Sequence, residues 1–164
     1  LYQMDFNEMI QAHIDAGAKI SLATIPVNAK DAPSFGILKT DNNNTITSFI
    51  EKPVTSLLPD WTSPVSDDME KQGKVHLASM GIYIFNKDLL IELMNDKSTI
   101  DFGKEIIPQS IDKYDILSYQ FEGYWTDIGN IDSFFEANIG LTDDISEFNL
   151  YDLKQRVYTN ARML

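Results

Sequence analysis

The chain has 164 residues, of which 43% are hydrophobic, and this size suits one globular domain or most of one. Its net charge of −12 repels the phosphate backbone and argues against nucleic-acid binding, although local cations or Mg²⁺ would still allow a compact phosphorylated metabolite. The chain has no cysteine, which excludes disulfides, zinc–thiolate sites and thiol catalysis and fits a reducing compartment. No apolar run reaches the ~18 residues that predict a membrane-spanning helix. We therefore expect a cytoplasmic protein without a membrane partner.

The first elements along the chain are predicted to be a helix, a buried strand and a hairpin. Residues 5–17 begin with a capping-box pattern, continue with apolar residues at helical spacing and end at a glycine. Residues 19–26 form a short apolar run that predicts a buried strand. Residues 35–40 and 45–50 flank Asp41-Asn42-Asn43-Asn44, and Asp and Asn tolerate the left-handed conformations of tight turns. The pattern predicts an antiparallel hairpin.

The middle of the chain alternates between polar and apolar stretches. Residues 54–74 are rich in Pro, Ser and Asp and predict a long surface loop. Residues 75–85 predict a further apolar strand, and residues 88–94 and 102–111 predict helices.

The last strand is predicted over residues 116–125 and leads to a lone carboxylate, Asp127. Gly129 then breaks the strand, and an amphipathic helix follows over residues 131–141. Ligands of open α/β sheets bind beyond the carboxyl ends of strands, so Asp127 is well placed to face a ligand or a metal ion. The alternative is that Asp127 caps the next helix or closes a turn.

Helices that alternate with buried strands, together with one hairpin, predict an α/β fold with a mixed sheet. We assign residues 1–141 to one domain and residues 142–164, where the periodicity weakens, to a linker. The chain lacks a starting methionine and looks like part of a longer protein.

Three short motifs carry groups suited to binding a phosphorylated sugar. In Glu51-Lys52-Pro53, the proline ends regular pairing, the lysine can neutralise a phosphate and the glutamate can accept hydrogen bonds from sugar hydroxyls. An ordinary surface charge pair is the alternative. Ser79, Gly81 and Tyr83 alternate onto one strand face, and they form either a polar stripe facing a ligand or a β-bulge with a core serine.

In the third motif, Asp101 precedes a predicted helix and is either its N-cap or a ligand of sugar hydroxyls, with Phe102 shaping the pocket. His13 and His76 have no partner at metal-ligand spacing, and we interpret both as structural or surface residues.

The order of five motifs resembles that of the sugar-nucleotide pyrophosphorylases, and most closely that of the ADP-glucose pyrophosphorylases (glucose-1-phosphate adenylyltransferases). In chain order the motifs are Phe35-Gly36, Glu51-Lys52-Pro53, Ala78-Ser79-Met80-Gly81-Ile82-Tyr83, Asp101-Phe102-Gly103-Lys104 and Tyr124-Trp125-Thr126-Asp127-Ile128-Gly129. These motifs differ in specificity. Glu-Lys-Pro and Trp-x-Asp-x-Gly are shared by several subfamilies. The motifs over residues 78–83 and 101–104 and the tail Tyr158–Leu164 are more particular to the ADP-glucose branch.

The resemblance implies a Rossmann-like nucleotide-diphospho-sugar transferase fold and the reaction of ATP with α-glucose 1-phosphate to give ADP-glucose and pyrophosphate, for glucan synthesis. Mg²⁺ is the implied cofactor and Asp127 one of its two aspartate ligands, while Lys52 holds the sugar phosphate. The residues implied to contact the glucose hydroxyls are Gly36, Glu51, Ser79 and Asp101. Those implied to shape the sugar pocket are Tyr83, Phe102 and Trp125.

The resemblance also implies parts that this sequence does not contain. They are a Gly-rich triphosphate loop and a second metal-binding aspartate upstream of Leu1, and a β-helix domain beyond residue 164. We expect the chain alone to be inactive and the full-length protein to be a homotetramer. Two alternatives stay open: a pyrophosphorylase for another nucleotide or sugar phosphate, and a non-catalytic regulatory subunit that binds a sugar phosphate.

Overall fold

The structure is a computed structural model, and it describes residues 1–95, 101–143 and 146–152. The chain forms two compact units. The larger unit comprises Phe6–Glu122, and the smaller unit comprises Leu1–Asp5 together with the chain from Gly123 onward. The tail motif Tyr158–Leu164 lies outside the described residues. No helix among the described residues is long and apolar enough to cross a membrane.

The described residues of the larger unit form five strands and four α-helices. The strands are β1 (Ile20–Val27), β2 (Gly36–Thr40), β3 (Ile46–Glu51), β4 (His76–Phe85) and β5 (Ile116–Gln120). The helices are α1 (Phe6–Asp15), α2 (Asp67–Lys71), α3 (Lys87–Met94) and α4 (Ile107–Ile111), and a π-helical turn over Phe102–Ile106 runs directly into α4.

The five strands form one sheet in the order β3-β2-β4-β1-β5. Strands β1 and β5 are parallel, whereas the β1–β4, β2–β4 and β2–β3 pairs are antiparallel. This mixed sheet flanked by helices confirms the predicted α/β class.

The predicted hairpin is β2–β3, and its turn explains the Asp-Asn-rich sequence. Asn44 has a φ of 60°, which asparagine adopts more readily than most residues. The Asp41 carboxylate accepts hydrogen bonds from the backbone N–H groups of Asn43 and Thr45, both at 2.8 Å, and so fixes the turn.

The core of the larger unit lies where β1, β2, β3 and β5 meet the helices. Fully or almost fully buried aliphatic residues from these elements form one cluster; its members are Ile20, Leu22, Leu38, Ile46, Leu89, Ile107 and Ile116. Burial of such side chains is worth about 1.5–3 kcal/mol each. The packing of this cluster therefore fixes the strands and, with them, the backbone of the residues at the strand ends.

The predicted surface loop over residues 54–74 contains more structure than its composition indicates. It holds a 3₁₀ helix over Thr55–Asp60 and the helix α2, and Leu58 is only 2% exposed. Ser63 is also buried, and its hydroxyl bonds both Thr40 N–H and Leu38 C=O at 3.1 Å. Ser63 thus satisfies backbone groups where β2 leaves its partner β4. Most of residues 54–74 lie at the surface, as predicted, but the segment is not loop throughout.

The prediction that the last strand reaches Trp125 was also wrong. Strand β5 ends at Gln120. The Glu122-Gly123 pair interrupts the apolar run, and strands disfavour both residue types. Asp127 therefore does not sit at the end of a sheet strand.

Both histidines of the chain are structural, as predicted. His13 is buried on α1, with Nδ1 2.7 Å from the Ser21 hydroxyl and Nε2 3.0 Å from Asn86 Oδ1. This contact uses the Asn86 side chain, which consequently does not cap α3. His76 Nδ1 lies 2.8 Å from the Trp61 carbonyl oxygen and anchors the segment before α2.

Among its described residues the smaller unit has one helix, α5 (Ile131–Gly140), which ends one residue before the predicted end. Asn130 is its N-cap, because its Oδ1 accepts a hydrogen bond of 2.8 Å from Ser133 N–H. Trp125 forms an isolated antiparallel bridge with Tyr2, and Thr126 N–H donates to the Leu1 carbonyl at 2.9 Å.

Candidate functional site

A β-bulge in β4 brings two predicted site residues together. Leu22 of β1 pairs with Tyr83 and Thr24 pairs with Ser79, so one residue of β1 faces the three residues 80–82 of β4. Gly81 lies in the bulge with a φ of +71°, a conformation that glycine adopts without strain.

In a regular strand, residues four apart are separated by roughly 13 Å. The bulge shortens this separation so that the Ser79 side chain comes close enough to the Tyr83 hydroxyl to lower its pKa. Ser79 Oγ accepts a hydrogen bond of 3.2 Å from Gly81 N–H. The bulge of the second alternative is therefore present, and a polar stripe that faces a ligand stays a prediction.

Tyr83 and three other predicted sugar-binding residues form a cluster, in which the three side chains act on the pKa of Tyr83. Burial is the main cause that raises the pKa of Tyr83 above its ordinary value, and the carboxylates of Asp101 and Glu51 raise this pKa further. The Ser79 side chain acts in the opposite direction. Tyr83 therefore keeps its proton at neutral pH and can donate a hydrogen bond.

Asp101 and Phe102, at the start of the π-helical segment, lie beside Tyr83. Asp101 Oδ1 accepts a hydrogen bond of 2.9 Å from Lys104 N–H, so Asp101 is an N-cap as the first alternative predicted. Phe102 stacks on the Tyr83 ring, with 5.7 Å between the ring centroids and an interplanar angle of 27°. Phe85 packs against both rings at centroid distances of 6.2 and 5.7 Å. Capping and membership of the cluster are compatible roles for Asp101.

Gly36 and Glu51 are opposite each other in the β2–β3 pair. A Cβ at Gly36 would lie 2.5 Å from Phe49 Cζ and 2.9 Å from Glu51 Oε2, which is closer than real contacts allow. Only glycine therefore lets the Phe49 ring and the Glu51 carboxylate approach the β2 backbone at this point.

Lys52 has an unusual backbone conformation at the end of β3. Its φ of 47° is in the left-handed region, which is strained for a residue with a Cβ. Its N–H donates to the Phe35 carbonyl at 3.0 Å, and Pro53 follows at once and ends the strand pairing. The Lys52 side chain is exposed, and within the described part of the chain its ammonium joins no ion pair.

In the smaller unit, Asp127 is exposed and belongs to neither a helix nor a strand. Its carboxylate lies over the backbone of Gly129, where a Cβ would come within 3.1 Å of Oδ2. Because Asn130 caps α5, the alternative that Asp127 is the helix cap was wrong. The residues described here contain no group of three or more His, Asp or Glu side chains that could hold a metal ion.

The smaller unit also holds a cavity of about 450 Å³ that the sequence did not predict. Trp125 lines it beside Tyr124 and Phe148, whose ring centroids are 5.4 Å apart. Burial, and secondarily the Glu147 carboxylate, raises the pKa of Tyr124.

The family model for nucleotidyl transferases matches residues 1–144, which include every predicted site residue. The chain belongs to the nucleotidyl transferase family. This membership agrees with the mixed α/β sheet, and it makes the protein an enzyme of the sugar-nucleotide transferase type.

Sequence reasoning missed several residues that shape the cluster of this nucleotidyl transferase. In the sequence, Phe49 and Phe85 have the spacing of ordinary core residues, and nothing distinguishes them from the other aromatic residues of the core. Glu105 is different, because its Oε2 accepts a hydrogen bond of 3.1 Å from Asp101 N–H and completes a reciprocal cap. An acidic residue shortly after a candidate N-cap is a recognisable signal, and here the π-turn places it one residue later than in a capping box.

Proposed function

We propose that this nucleotidyl transferase makes ADP-glucose and pyrophosphate from ATP and α-glucose 1-phosphate, and that its larger unit binds the sugar phosphate. The supporting observation is that Asp101 and Phe102 of one motif lie beside Tyr83 of another. Phe102 stacks on the Tyr83 ring, and a Cβ built at Gly103 would lie within 4 Å of both Asp101 Oδ1 and the Tyr83 hydroxyl. The carboxylates of Asp101 and Glu51 also raise the pKa of Tyr83. The ADP-glucose branch is favoured because the motifs over residues 78–83 and 101–104 are the ones that resemble it most.

The cluster has the chemistry that a glucose ring requires. Carboxylates accept hydrogen bonds from sugar hydroxyls, and a protonated tyrosine donates one. The faces of Tyr83 and Phe102 offer an apolar wall for the C–H groups of a pyranose. Lys52 contributes a compact positive charge for the phosphate, in a chain whose net charge is otherwise −12.

The proposed reaction is an in-line displacement at phosphorus. A phosphate oxygen of glucose 1-phosphate forms a bond to the α-phosphorus of ATP, the bond from that phosphorus to the oxygen bridging to the β-phosphorus breaks, and pyrophosphate leaves with the bonding electrons. Such a step depends on alignment and charge neutralisation rather than on a protein nucleophile. The roles of Lys52 and of the hydroxyl-binding residues are to hold the nucleophile in position.

Mg²⁺ would neutralise charge on the reacting phosphates, and Asp127 is the residue that we propose to hold it. An exposed carboxylate suits Mg²⁺, which usually takes one or two carboxylates along with substrate phosphates. Tyr2 pairs antiparallel with Trp125, and continuation of this pairing would place a residue upstream of Leu1 opposite Asp127. By resemblance, this position carries the second metal-binding aspartate.

The test is nucleotide and sugar preference in protein expressed from the complete gene. Pyrophosphate release should require Mg²⁺ and α-glucose 1-phosphate and should be fastest with ATP. Strong preference for UTP, dTTP or GTP would replace the proposal with a pyrophosphorylase for another nucleotide. Binding of glucose 1-phosphate without turnover with any nucleotide would favour the regulatory subunit instead.

A further inference from the structure

The cavity of the smaller unit has a lining that does not suit a sugar phosphate. Its volume of about 450 Å³ lies within the range of small-molecule sites, which is about 300–1,000 Å³. The lining includes the carboxylates of Glu136, Asp143 and Glu147, and none of the described lining residues is Lys, Arg or His. Negative charge of this kind repels a phosphate group and attracts a cation. The cavity therefore differs in its chemistry from the site that we propose for the larger unit.

The three carboxylates are exposed and lack a counter-charge. Within the described part of the chain, none of them accepts a hydrogen bond or joins an ion pair. No three of the acidic residues described here lie close enough together to hold a metal ion. One compact ion therefore cannot meet all three carboxylates, whereas an extended ligand with several cationic groups can.

The walls of the cavity are largely apolar. The rings of Tyr124 and Phe148 lie 5.4 Å apart at an interplanar angle of 41°. Ala137 and Gly140, three residues apart, lie on one face of α5, and nothing comes within 4 Å of a Cβ built at Gly140. Burial raises the pKa of Tyr124, and the Glu147 carboxylate raises it further, so charge and aromatic surface lie close together. Aromatic faces attract ammonium groups, and apolar walls pack against methylene groups.

We propose that this cavity binds an aliphatic polyamine, a chain of methylene groups that carries two or more ammonium groups. The methylene groups pack against the rings of Tyr124 and Phe148 and against the small residues of α5. The ammonium groups donate hydrogen bonds to the exposed carboxylates of the lining. This inference goes beyond the proposed reaction and does not depend on it, because the cavity is complete within the smaller unit.

The experiment is a calorimetric titration of spermidine into protein expressed from the complete gene, at neutral pH and an ionic strength of about 0.15 M. Two variants of α5 form a matched pair, because each loses one exposed carboxylate but only Glu136 lines the cavity. We expect Glu136→Gln to weaken spermidine binding by about two- to fivefold, the range for an exposed ion pair. Asp132→Asn should leave the affinity unchanged.

Gly140→Leu tests the cavity itself. The new side chain begins in open space, so it fills the cavity without a clash and should weaken spermidine binding by about tenfold or more. Leucine is also the better helix former, so the unfolding midpoint should not fall. If the midpoint does fall, the comparison of Glu136→Gln with Asp132→Asn decides.

Five outcomes would overturn the proposal. They are no measurable binding of spermidine to the wild type, equal losses in Glu136→Gln and Asp132→Asn, unchanged binding by a stably folded Gly140→Leu, full displacement of spermidine by an equal concentration of Mg²⁺, and displacement by α-glucose 1-phosphate. Equal losses would mean that spermidine is attracted only by the net charge of the chain. Displacement by the sugar phosphate would assign the cavity to the substrate site instead.

Discussion

Asp101 and Asp127 are both predicted to contact substrates or metal, yet their local surroundings differ. Asp101 caps a helix, with one oxygen bonded to Lys104 N–H and its own N–H bonded to Glu105. Asp127 is exposed, and among the described residues it makes no hydrogen bond or ion pair. A carboxylate held by backbone presents an oxygen in one direction, which suits the recognition of a hydroxyl. A carboxylate without partners can turn to meet a cation.

The contrast predicts that a substitution at Asp101 changes both stability and ligand binding, whereas a substitution at Asp127 changes activity without changing stability. Substituting Asp101 disturbs a cap as well as any ligand, whereas substituting Asp127 removes no contact in the described structure. The predictions below test this contrast and extend it to a third carboxylate, that of Glu51.

The largest effect is expected for Asp127→Asn in protein expressed from the complete gene. Loss of a metal-binding carboxylate should lower Mg²⁺-dependent pyrophosphate release by about 100-fold or more. The free energy of unfolding should stay within about 0.5 kcal/mol of the wild type, as for other exposed residues. Steady-state kinetics over a range of Mg²⁺ concentrations and urea unfolding measure the two quantities.

Asp132→Asn is the matched control for this substitution, because Asp132 is also exposed and lies in the same unit, in the first turn of α5. It should retain near wild-type turnover. If both variants kept full activity at limiting Mg²⁺, Asp127 would not be a metal ligand.

A smaller effect is expected for Gly36→Ala, which tests how Glu51 is held. The new methyl group would overlap Phe49 Cζ and crowd Glu51 Oε2, and such overpacking costs about 1–3 kcal/mol of stability. It should also weaken the binding of glucose 1-phosphate, since the Glu51 carboxylate must move. Urea unfolding and ligand titration by NMR check the two results.

The double variant Gly36→Ala/Phe49→Leu identifies the cause of that loss. Leucine lacks the ring atoms nearest the new methyl group, so the two substitutions should be non-additive, with a coupling of about 0.5–3 kcal/mol in the stabilising direction. Additive losses would mean that Phe49 is not what excludes a side chain at position 36. Glu51 would then be held by some means other than packing.

The fold was largely predictable because its signals are local. Apolar runs with turn residues at both ends located all five strands, and the Asp-Asn sequence predicted the β2–β3 hairpin whose turn Asp41 fixes. The misses came from tertiary contacts. Ser63 reads as a loop residue, but it completes the hydrogen bonding of β2. The end of β5 was misplaced because the aromatic residues beyond it outweighed Glu122 and Gly123 in the sequence pattern.

The candidate site was predictable as a set of residue types but not as an arrangement. Ser79 and Tyr83 were assigned to one strand face, with a β-bulge as the alternative, but the alternation does not predict that the bulge brings the Ser79 side chain close to Tyr83. The motifs therefore supplied the candidate residues, while bulge and cap geometry determine what these residues contact in the described structure.

The smallest effect is expected for Asp101→Asn, which separates the cap from the charge. Asparagine also caps helices, so the free energy of unfolding at neutral pH should change by a few tenths of a kcal/mol, whereas Asp101→Ala should cost about 1 kcal/mol. The pKa of Tyr83 should fall with Asp101→Asn because one nearby negative charge is removed, but it should stay above its ordinary value because burial, the main cause, persists. NMR titration of the Tyr83 ring measures this shift.

The pH dependence of stability follows from the same pKa. Native Tyr83 keeps its proton at a pH where the unfolded chain has lost it. The contribution of Tyr83 to the free energy of unfolding is therefore fully present below the unfolded tyrosine pKa of about 10. It is lost as the pH rises from there through the folded pKa. The loss should be shallower in Asp101→Asn, since its folded and unfolded pKa values lie closer together. Identical slopes in the two proteins would show that the Asp101 carboxylate does not act on the Tyr83 hydroxyl, and the contrast with Asp127 would then reduce to helix capping alone.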